Sequence, residues 1–452
     1  MKLPRSVHFI GIGGIGISGL AKIFLEFGLK VSGSDLFDSP GIRYLKNNKA
    51  NIKIGRHRAE NVADDVELVV YTNAIKKNNP EYRAAQRKGI KLMSYPQCVG
   101  RLLQDYIPLV VSGTHGKSTT TAMLAKIFLS AGLDPSILVG TKIKECDNNN
   151  SRLGLGRHFI LEGDEYKEAF LNYSPLGLII NNIEADHLDY YKNESAIIRA
   201  FQKLARKVPA KGFVIANADD ANVMKSVRGV KCRLITYGLK HGDYQAMHIR
   251  RYGELTRFAV KGPENFDLAL KVPGLHNVQN ALAACVLALT FRISLETIKK
   301  ALLAYEGAWR RFEIKSKKRG ILFIDDYAHH PTEIKVTLAT ARQLFIGRRI
   351  WCVFQPHSQD RTRKLFSGFV SAFKDCDWLV LTEIYHVAGR ENTRPFSAKS
   401  LYKEIKTYKK NCIYFKNYKT IPRILSKKLI SGDVVITMGA GNITEISDGY
   451  LK

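Results

Sequence analysis

Lys117 and Ser118 close the run Gly113-Thr-His-Gly-Lys-Ser118, which follows the apolar stretch Leu109-Val-Val111. Glycines without a Cβ let backbone N–H groups turn inward on an anion, and a helix starting at that point adds the positive end of its dipole. Gly113, Thr114, His115 and Gly116 would form the cradle, Lys117 would reach the β/γ-phosphates of a nucleotide, and the hydroxyl of Ser118 or Thr119 would hold Mg²⁺. The full phosphate-loop pattern has a glycine five places before Gly116, where this chain has Val111, so the loop is a shortened form. A chance Gly-Lys-Ser at a surface turn would lack the strand before it and the stripe Met123, Leu124, Ile127 and Phe128 after it.

A second glycine loop, Gly11-Ile-Gly-Gly-Ile-Gly16, follows the short strand Val7 to Ile10 and precedes a helix running to about Gly28. Gly11, Gly13 and Gly16 have the Gly-x-Gly-x-x-Gly spacing, with Gly14 and Ile15 completing the turn. A second strand from Val31 ends in Asp35, 19 residues beyond Gly16, at the ribose position of the dinucleotide fingerprint. A glycine turn serving only close helix–sheet packing would need neither that second strand nor the acid. What the pattern specifies is a diphosphate at a helix N-terminus, so NAD and a UDP-sugar both fit. Another strand, Val66 to Tyr71, delivers Thr72 and Asn73 as further candidate contacts to that substrate.

Acidic and imidazole groups recur at predicted strand ends. His158 to Glu162 runs into Gly163-Asp-Glu-Tyr166, and Leu178 to Ile180 runs into Asn181-Asn-Ile-Glu-Ala-Asp-His187. Glu162, Asp186 and His187 beside a phosphate loop are what a Mg–ATP site requires; as capping or surface residues they would not cluster at strand ends. Val272 to Asn280 leads into an apolar helix from Ala281 to Leu289, where His276 and Asn280 read singly as helix N-terminal residues. Beyond Trp309 the pattern resets: Ile321 to Ile324 ends in Asp325-Asp-Tyr-Ala-His-His-Pro331, and Ile350 to Phe354 ends in Gln355-Pro-His357, with Arg361 downstream. Adjacent His329 and His330 on a loop lack a metal-ligand spacing and read as polar contacts at a domain cleft.

The elements that position these residues are those of an α/β protein. At 452 residues and 45% hydrophobic content the chain exceeds one core and can furnish two or three. The pattern divides into 1–106, a first nucleotide-type domain, 107–308, a second domain that starts at the phosphate loop, and 309–452, a third, doubly wound unit. The formal charge of +29 invites a nucleic-acid reading, but the basic residues are spread out and no helix carries a sustained basic stripe. Seven scattered cysteines without a Cys-x-x-Cys spacing read as idle thiols. No stretch has the length of a membrane span, and no secretory signal precedes the first strand, so a cytoplasmic protein is expected, without nucleic-acid or membrane partners, as a monomer or homodimer.

Taken together, the residues resemble the Mur ligase superfamily along essentially the whole chain. The carrying motifs are Gly11-Ile-Gly-Gly-Ile-Gly-Ile-Ser18, Gly113 to Ser118, Glu162-Gly-Asp-Glu-Tyr166, Asn182-x-x-x-Asp186-His187, His276-Asn-x-x-Asn280, Arg310-Arg-Phe312, Asp325 to Pro331 and Gln355-Pro-His357. The N-terminal glycine signature and paired histidines narrow the resemblance to ligases acting on UDP-N-acetylmuramate. It implies a Rossmann-like domain for the UDP substrate over 1–106, a central P-loop ATPase domain over 107–308 and a C-terminal Rossmann-like domain over 309–452 contacting ATP and the amino acid. It implies ATP-dependent joining of L-alanine to UDP-N-acetylmuramate through an acyl phosphate, in peptidoglycan precursor synthesis. It also implies one metal near Ser118 or Thr119 and a second near Glu162 and His187. By the same match Asn280 and Arg311 would contact ATP, Asp326 its ribose and Tyr327 the adenine edge, while His329, His357 and Arg361 would face the alanine and the acyl phosphate.

Two features stand apart from that match. Ser358-Gln-Asp360 stands where Arg-Tyr or a similar pair is expected, so one substrate-side cation is missing or replaced. The acidic and paired-histidine motifs also resemble the recycling ligase that attaches a preformed tripeptide, whereas Gly13 to Ser18 and the stretch from Glu383-Ile-Tyr385 to Arg390-Glu-Asn392 look more like the alanine enzyme. From the residues alone, an NAD-dependent oxidoreductase built on the first loop and a nucleic-acid-dependent ATPase remain the readings from other classes.

Overall fold

The computed structural model describes residues 4–385 and 396–447, so Arg390-Glu-Asn392 lies outside the described residues. Three α/β domains, each with its own sheet, follow one another along the chain. The first sheet has β1 (Ser6–Ile10), β2 (Lys30–Asp35), β3 (Asn51–Ile54), β4 (Leu68–Tyr71) and β5 (Lys91–Ser94), all parallel in the order β3-β2-β1-β4-β5. Every residue of β1 is buried, as a central parallel strand covered on both faces requires. The covering helices are α1 (Ile15–Glu26), α2 (Pro40–Asn47), α3 (Pro80–Arg87) and α4 (Tyr95–Leu102). Gly14 opens α1 in an extended conformation without a side-chain cap, which leaves the first-turn amides for a ligand.

A buried charge network missing from the sequence reading steadies the end of β2. Glu81, fully buried at the start of α3, accepts from Ser34 Oγ at 2.6 Å and Asn61 Nδ2 at 2.6 Å, and meets His8 Nε2 at 3.1 Å and His57 Nδ1 at 3.2 Å. The hydrogen bond to Glu81 raises the His57 pKa, so the pair shares charge inside the domain. Ser34 is the residue before Asp35, and this network therefore fixes where that acid stands.

The second sheet is mixed. Its strands are β6 (Ile107–Ser112), β7 (Ser136–Ile143), β8 (Asn149–Arg152), β9 (His158–Glu162), β10 (Gly177–Ile180), β11 (Phe213–Asn217), β12 (Arg233–Gly238), β13 (Tyr244–Tyr252), β14 (Leu255–Lys261) and β15 (Phe266–Leu270). They lie in the order β15-β14-β13-β12-β11-β10-β6-β9-β7-β8. The phosphate-loop strand β6 sits between β9 and β10, so both acid-bearing strands end beside it. Helix α5 (Lys117–Ser130) starts directly at the lysine. It is followed by α6 (Glu194–Arg206), α7 (Ala221–Ser226), α8 (Leu275–Thr290) and α9 (Leu295–Leu303). Helix α8 begins six residues before the expected Ala281, which places His276 and Asn280 within its first two turns. The antiparallel run β13–β15 went unread, although β14 alternates in burial with period two.

The third sheet has β16 (Glu313–Lys318), β17 (Ile321–Asp326), β18 (Ile350–Phe354), β19 (Trp378–Thr382), β20 (Cys412–Phe415) and β21 (Val434–Met438), ordered β16-β17-β21-β18-β19-β20, with β16 antiparallel. Apolar clusters fill both of its faces, one around Phe354, Phe369 and Phe373 and the other around Phe323, Trp351 and Val435. All seven cysteines are free and buried, as expected. No helix among the described residues is long and apolar enough to cross a membrane.

Contacts divide the chain into two compact units. One comprises Met1–Glu184, Ser195–Lys271 and Val278–Glu306, and holds the first two sheets; the other comprises Ala185–Glu194, Val272–Asn277 and Gly307–Lys452. Inside the first unit, β8 docks on α1: Lys22 Nζ donates to Ser151 O at 2.7 Å and Ser151 Oγ donates to Gly19 O at 2.9 Å. Helix α4 packs on the Tyr166–Asn172 turn so tightly that a Cβ on Gly100 would lie 2.2 Å from Asn172 O. Gly100→Ala is therefore expected to destabilise this unit by about 1–3 kcal/mol. A urea midpoint equal to that of the parent chain would contradict the close approach.

Candidate active site

The phosphate loop is shaped by side chains that occupy the space its glycines leave. Gly113 (φ 138°) faces Asn181 and Asn182, and a Cβ on Gly116 (φ 78°) would fall 2.5 Å from Asn280 Oδ1. Thr114 N donates to Asn182 O at 2.9 Å and His115 N to Asn182 Oδ1 at 2.7 Å, so the Asn-Asn pair after β10 sets the curvature of the loop. Asn280, expected near ATP from the resemblance, does stand at the loop. Asn181 and Asn182 lie in the strand-end motif, but nothing in its spacing reveals that they shape the loop.

Lys117 is fully engaged. Its Nζ donates to Gly113 O at 2.7 Å, Thr114 O at 3.2 Å and both Glu165 oxygens at 2.9 and 3.1 Å. Burial alone would pull the ammonium pKa down; the charges of Glu165, Glu162 and Asp164 more than offset it, so the group stays protonated. Glu165 is the residue the sequence reading missed, and the signal was present, three positions beyond Glu162 in the same acidic turn. Ser118 Oγ donates to Glu162 Oε2 at 2.8 Å, and Gly140 N donates to the same oxygen at 2.9 Å. Of the two hydroxyls considered for the metal, Ser118 is the one that meets a carboxylate.

The first glycine loop is closed differently. Gly11 N and Ile12 N donate to Ser34 O at 2.8 and 3.0 Å, and Thr72 packs where a Cβ on Gly11 would stand. Asp35, expected at the ribose, already accepts from Gly13 N through Oδ2 at 2.8 Å and from Phe37 N through Oδ1 at 3.3 Å. The acid thus shapes the loop, a role its spacing did not predict. A Cβ on Gly16 would lie 2.9 Å from the Tyr95 hydroxyl oxygen.

The remaining candidates belong to the second unit. Arg361 binds Asp186 bidentately, Nε to Oδ1 at 3.0 Å and Nη2 to Oδ2 at 3.1 Å, with both side chains 9% exposed. Its Nη1 lies 3.3 Å from His357 Nδ1, and the His357 ring stacks on Tyr385 at 5.6 Å. His329 stands edge-on to His357 at 5.8 Å and to Tyr327 at 5.3 Å, with Nδ1 3.0 Å from Tyr327 O. Burial pushes the His329 pKa down to about 4, which keeps the ring neutral at physiological pH. His187 adopts a left-handed backbone (φ 51°) beside Asp186. Five of the predicted residues, His187, Tyr327, His329, His357 and Arg361, therefore form one polar cluster around the Asp186 carboxylate.

The two histidines of the pair separate. His330 caps α10 (Pro331–Leu344), accepting from Thr332 N in a capping box with Glu333, so only His329 joins the cluster. The two arginines of Arg310-Arg-Phe312 also separate. Arg310 is locked to Asp325 at 2.7 Å and to Gly439 O and Gly441 O, while the Arg311 guanidinium lies over the Tyr327 ring at 5.2 Å. Asp326 accepts from Phe312 N and Ala328 N at 2.8 and 2.7 Å, and burial raises its pKa to about 6. Ser358, in the unusual stretch, has φ 69° and opens α11 (Gln359–Lys364); Asp360 pairs with Arg363 at 3.0 Å.

Comparison with known proteins finds matches along nearly the whole chain. The descriptions "Mur ligase family, catalytic domain", "Mur ligase middle domain" and "Mur ligase, glutamate ligase domain" match residues 6–107, 111–288 and 310–441. The chain belongs to the Mur ligase family. Among curated members, the UDP-N-acetylmuramate--L-alanine ligase of Clostridium tetani is 42% identical, over 100% of this chain and 99% of that protein. That of Clostridium acetobutylicum is also 42% identical, over 100% and 98%. The crystal structure of UDP-N-acetylmuramate-alanine ligase MurC from Thermotoga maritima superposes with a TM-score of 0.85 at 30% identity, covering 99% of this chain and 98% of that one. A murein peptide ligase from Psychrobacter arcticus gives 0.75 at 26%, over 99% and 98%.

In this Mur ligase the buried Arg361–Asp186 pair yields a pH-dependent prediction. Burial opposes the charged Asp186 carboxylate, but Arg361 holds its pKa well below the usual 3.8. The pair's stabilising contribution is therefore complete above the unfolded value and lost as pH falls below it. Asp186→Asn, which strands a buried guanidinium, should cost about 3–5 kcal/mol at neutral pH. Urea melts should show the gap to the parent chain narrowing below about pH 4; a gap constant with pH would contradict the assignment.

Proposed function

We propose that this chain ligates L-alanine to UDP-N-acetylmuramate at the expense of ATP, in peptidoglycan precursor synthesis. The end-to-end 42% identity to curated alanine-adding ligases carries this reading. The fold supports it, since one unit holds both a P-loop and a second glycine loop at the N-terminus of α1. The substrate domain would be 1–106, the ATPase 107–308 and the third domain 309–452. Both ATP and a UDP-sugar belong to the cytoplasm, where the chain would work as a monomer or homodimer.

The chemistry follows from the charges. A lactyl carboxylate oxygen attacks the γ-phosphorus of ATP and ADP departs; the alanine amine then attacks the acyl carbon, and the tetrahedral intermediate expels phosphate to leave the amide. Two anions must meet in the first step, so cations are needed at the phosphates. Lys117 would move from Glu165 to the β/γ-phosphates, with Gly113, Thr114, His115 and Gly116 wrapping them. Ser118 Oγ and Glu162, 2.8 Å apart and both oxygen donors, suit a hard cation such as Mg²⁺, with Thr119 adjacent and His187 assigned to a second ion. When bound, such an ion neutralises phosphate charge.

Asn280 and Arg311 would contact the nucleotide, Tyr327 its adenine and Asp326 its ribose. The glycine loop Gly11, Gly13, Gly14, Ile15 and Gly16, with Thr72 and Asn73, would take the UDP moiety, and Asp35 would hold that loop in shape. Neutral His329, with His357 and Arg361, would face the alanine and the acyl phosphate.

A second reading, tripeptide recycling, is motivated by the likeness to murein peptide ligase structures, which is weaker than the likeness to the alanine ligase structure. Free L-alanine and the tripeptide, offered separately with UDP-N-acetylmuramate and ATP, distinguish the two. The proposal predicts phosphate release that requires both UDP-N-acetylmuramate and L-alanine; release with the tripeptide alone would overturn it. Lys117→Ala should abolish turnover while UDP-N-acetylmuramate still binds, and a near-normal rate in that variant would remove the phosphate-cradle assignment.

A further inference from the structure

Two donors outside every motif sit where the first two domains meet within one unit. Tyr95 opens α4, and its ring lies across the first turn of α1, with Cζ and the hydroxyl oxygen each 2.9 Å from where a Cβ on Gly16 would stand. Burial, then the charges of Asp164 and Glu162, push its phenol pKa up, so the hydroxyl keeps its proton and can donate. Glu162 ends the strand beside the phosphate loop and Asp164 follows it, so Tyr95 touches the diphosphate loop while feeling the charges of the acidic turn beside the phosphate loop. Helix α4 rests on the Tyr166–Asn172 turn, and that turn carries the second donor.

Lys167 has φ 52° and ψ 31°, and Glu168 after it has φ 54° and ψ 30°; two consecutive left-handed non-glycine residues are costly and persist where something else requires them. The Lys167 ammonium reaches back to the first domain, 3.4 Å from Asn73 O, and lies 5.5 Å from the Tyr166 ring centre. Among the described residues no carboxylate pairs with it, whereas Lys117 is held by Glu165. As an ordinary surface lysine it would need neither the strained backbone nor the reach across the domains.

We propose that Tyr95 and Lys167 position the acceptor between its two ends, Tyr95 donating to a phosphate or sugar oxygen just beyond the diphosphate loop and Lys167 steering the reacting carboxylate. The inference rests on the ligase reading above. An acid whose diphosphate sits at the N-terminus of α1 and whose carboxylate must reach the γ-phosphate spans this junction. A neutral donor suits the uncharged middle of such a molecule, and an unpaired ammonium suits its anionic end.

Tyr95→Phe removes only the hydroxyl, and Lys167→Gln only the charge. In steady-state assays of the full chain, each should raise the KM for UDP-N-acetylmuramate about tenfold, the scale of one lost hydrogen bond at its upper limit. The KM values for ATP and L-alanine should stay within about twofold, and Lys167→Arg should restore most of the loss, since the charge returns. Calorimetric binding of UDP-N-acetylmuramate should weaken in parallel with KM, at unchanged thermal midpoint. An unchanged acceptor KM in both variants, or equal rises in all three KM values, overturns the proposal while leaving the ligase reading intact. A parent chain that forms no alanine adduct overturns both.

Discussion

A lysine buried at a helix N-terminus is positive charge placed beside positive charge, because the first turn of α5 already carries the positive end of its dipole. Glu165 makes that arrangement stable before any nucleotide arrives, holding Lys117 with both oxygens. On the proposed ligase reading this would allow a ready exchange, in which phosphate oxygens would replace one carboxylate on a cation already in place. The second unit repeats the device with Arg361 on Asp186 and Arg310 on Asp325. Glu165 lies three residues beyond the C-terminal end of β9 and Asp325 at the C-terminal end of β17, where parallel strands and following helices leave room for ligands.

The glycine loops obey a complementary constraint. Asp35 fills the space beside Gly13, Tyr95 the space beside Gly16, and Asn280 the space beside Gly116. A side chain at any of these positions would collide with the group that sets the shape of the loop. Rigidity is therefore built in from outside each loop: the Glu81 network fixes β2 and hence Asp35, while β7 and the Asn-Asn pair after β10 hold Glu162 and the phosphate loop. Apolar burial on both faces of the sheets anchors these supports, so the polar ends project from a packed scaffold.

Both loops, three domains and nearly all the strand-end acids were legible because they rest on local patterns: glycine spacing, short apolar runs and polar residues after them. Glu165 escaped because an acid one turn from a recognised acid looks like a surface residue until Lys117 is seen to reach it. Asp35 does end β2 as its spacing indicated, but its hydrogen bond from Gly13 N leaves no trace in spacing. The separation of His329 from His330 was equally hidden, for only the start of α10 decides which ring caps a helix. Strands β13 to β15 alternate cleanly, yet without motifs they drew no reading. The Glu81 network joins four segments up to 73 residues apart, a distance over which periodicity carries no information.

The central claim is that this Mur ligase holds two nucleotides at once in separate loops. Calorimetric titration of UDP-N-acetylmuramate into the full chain, with and without a saturating non-hydrolysable ATP analogue and Mg²⁺, tests it directly. The account predicts one equivalent bound in both titrations, with affinity unchanged or tightened by the analogue. Loss of UDP-N-acetylmuramate binding in proportion to analogue occupancy would mean a single shared pocket and would contradict the account.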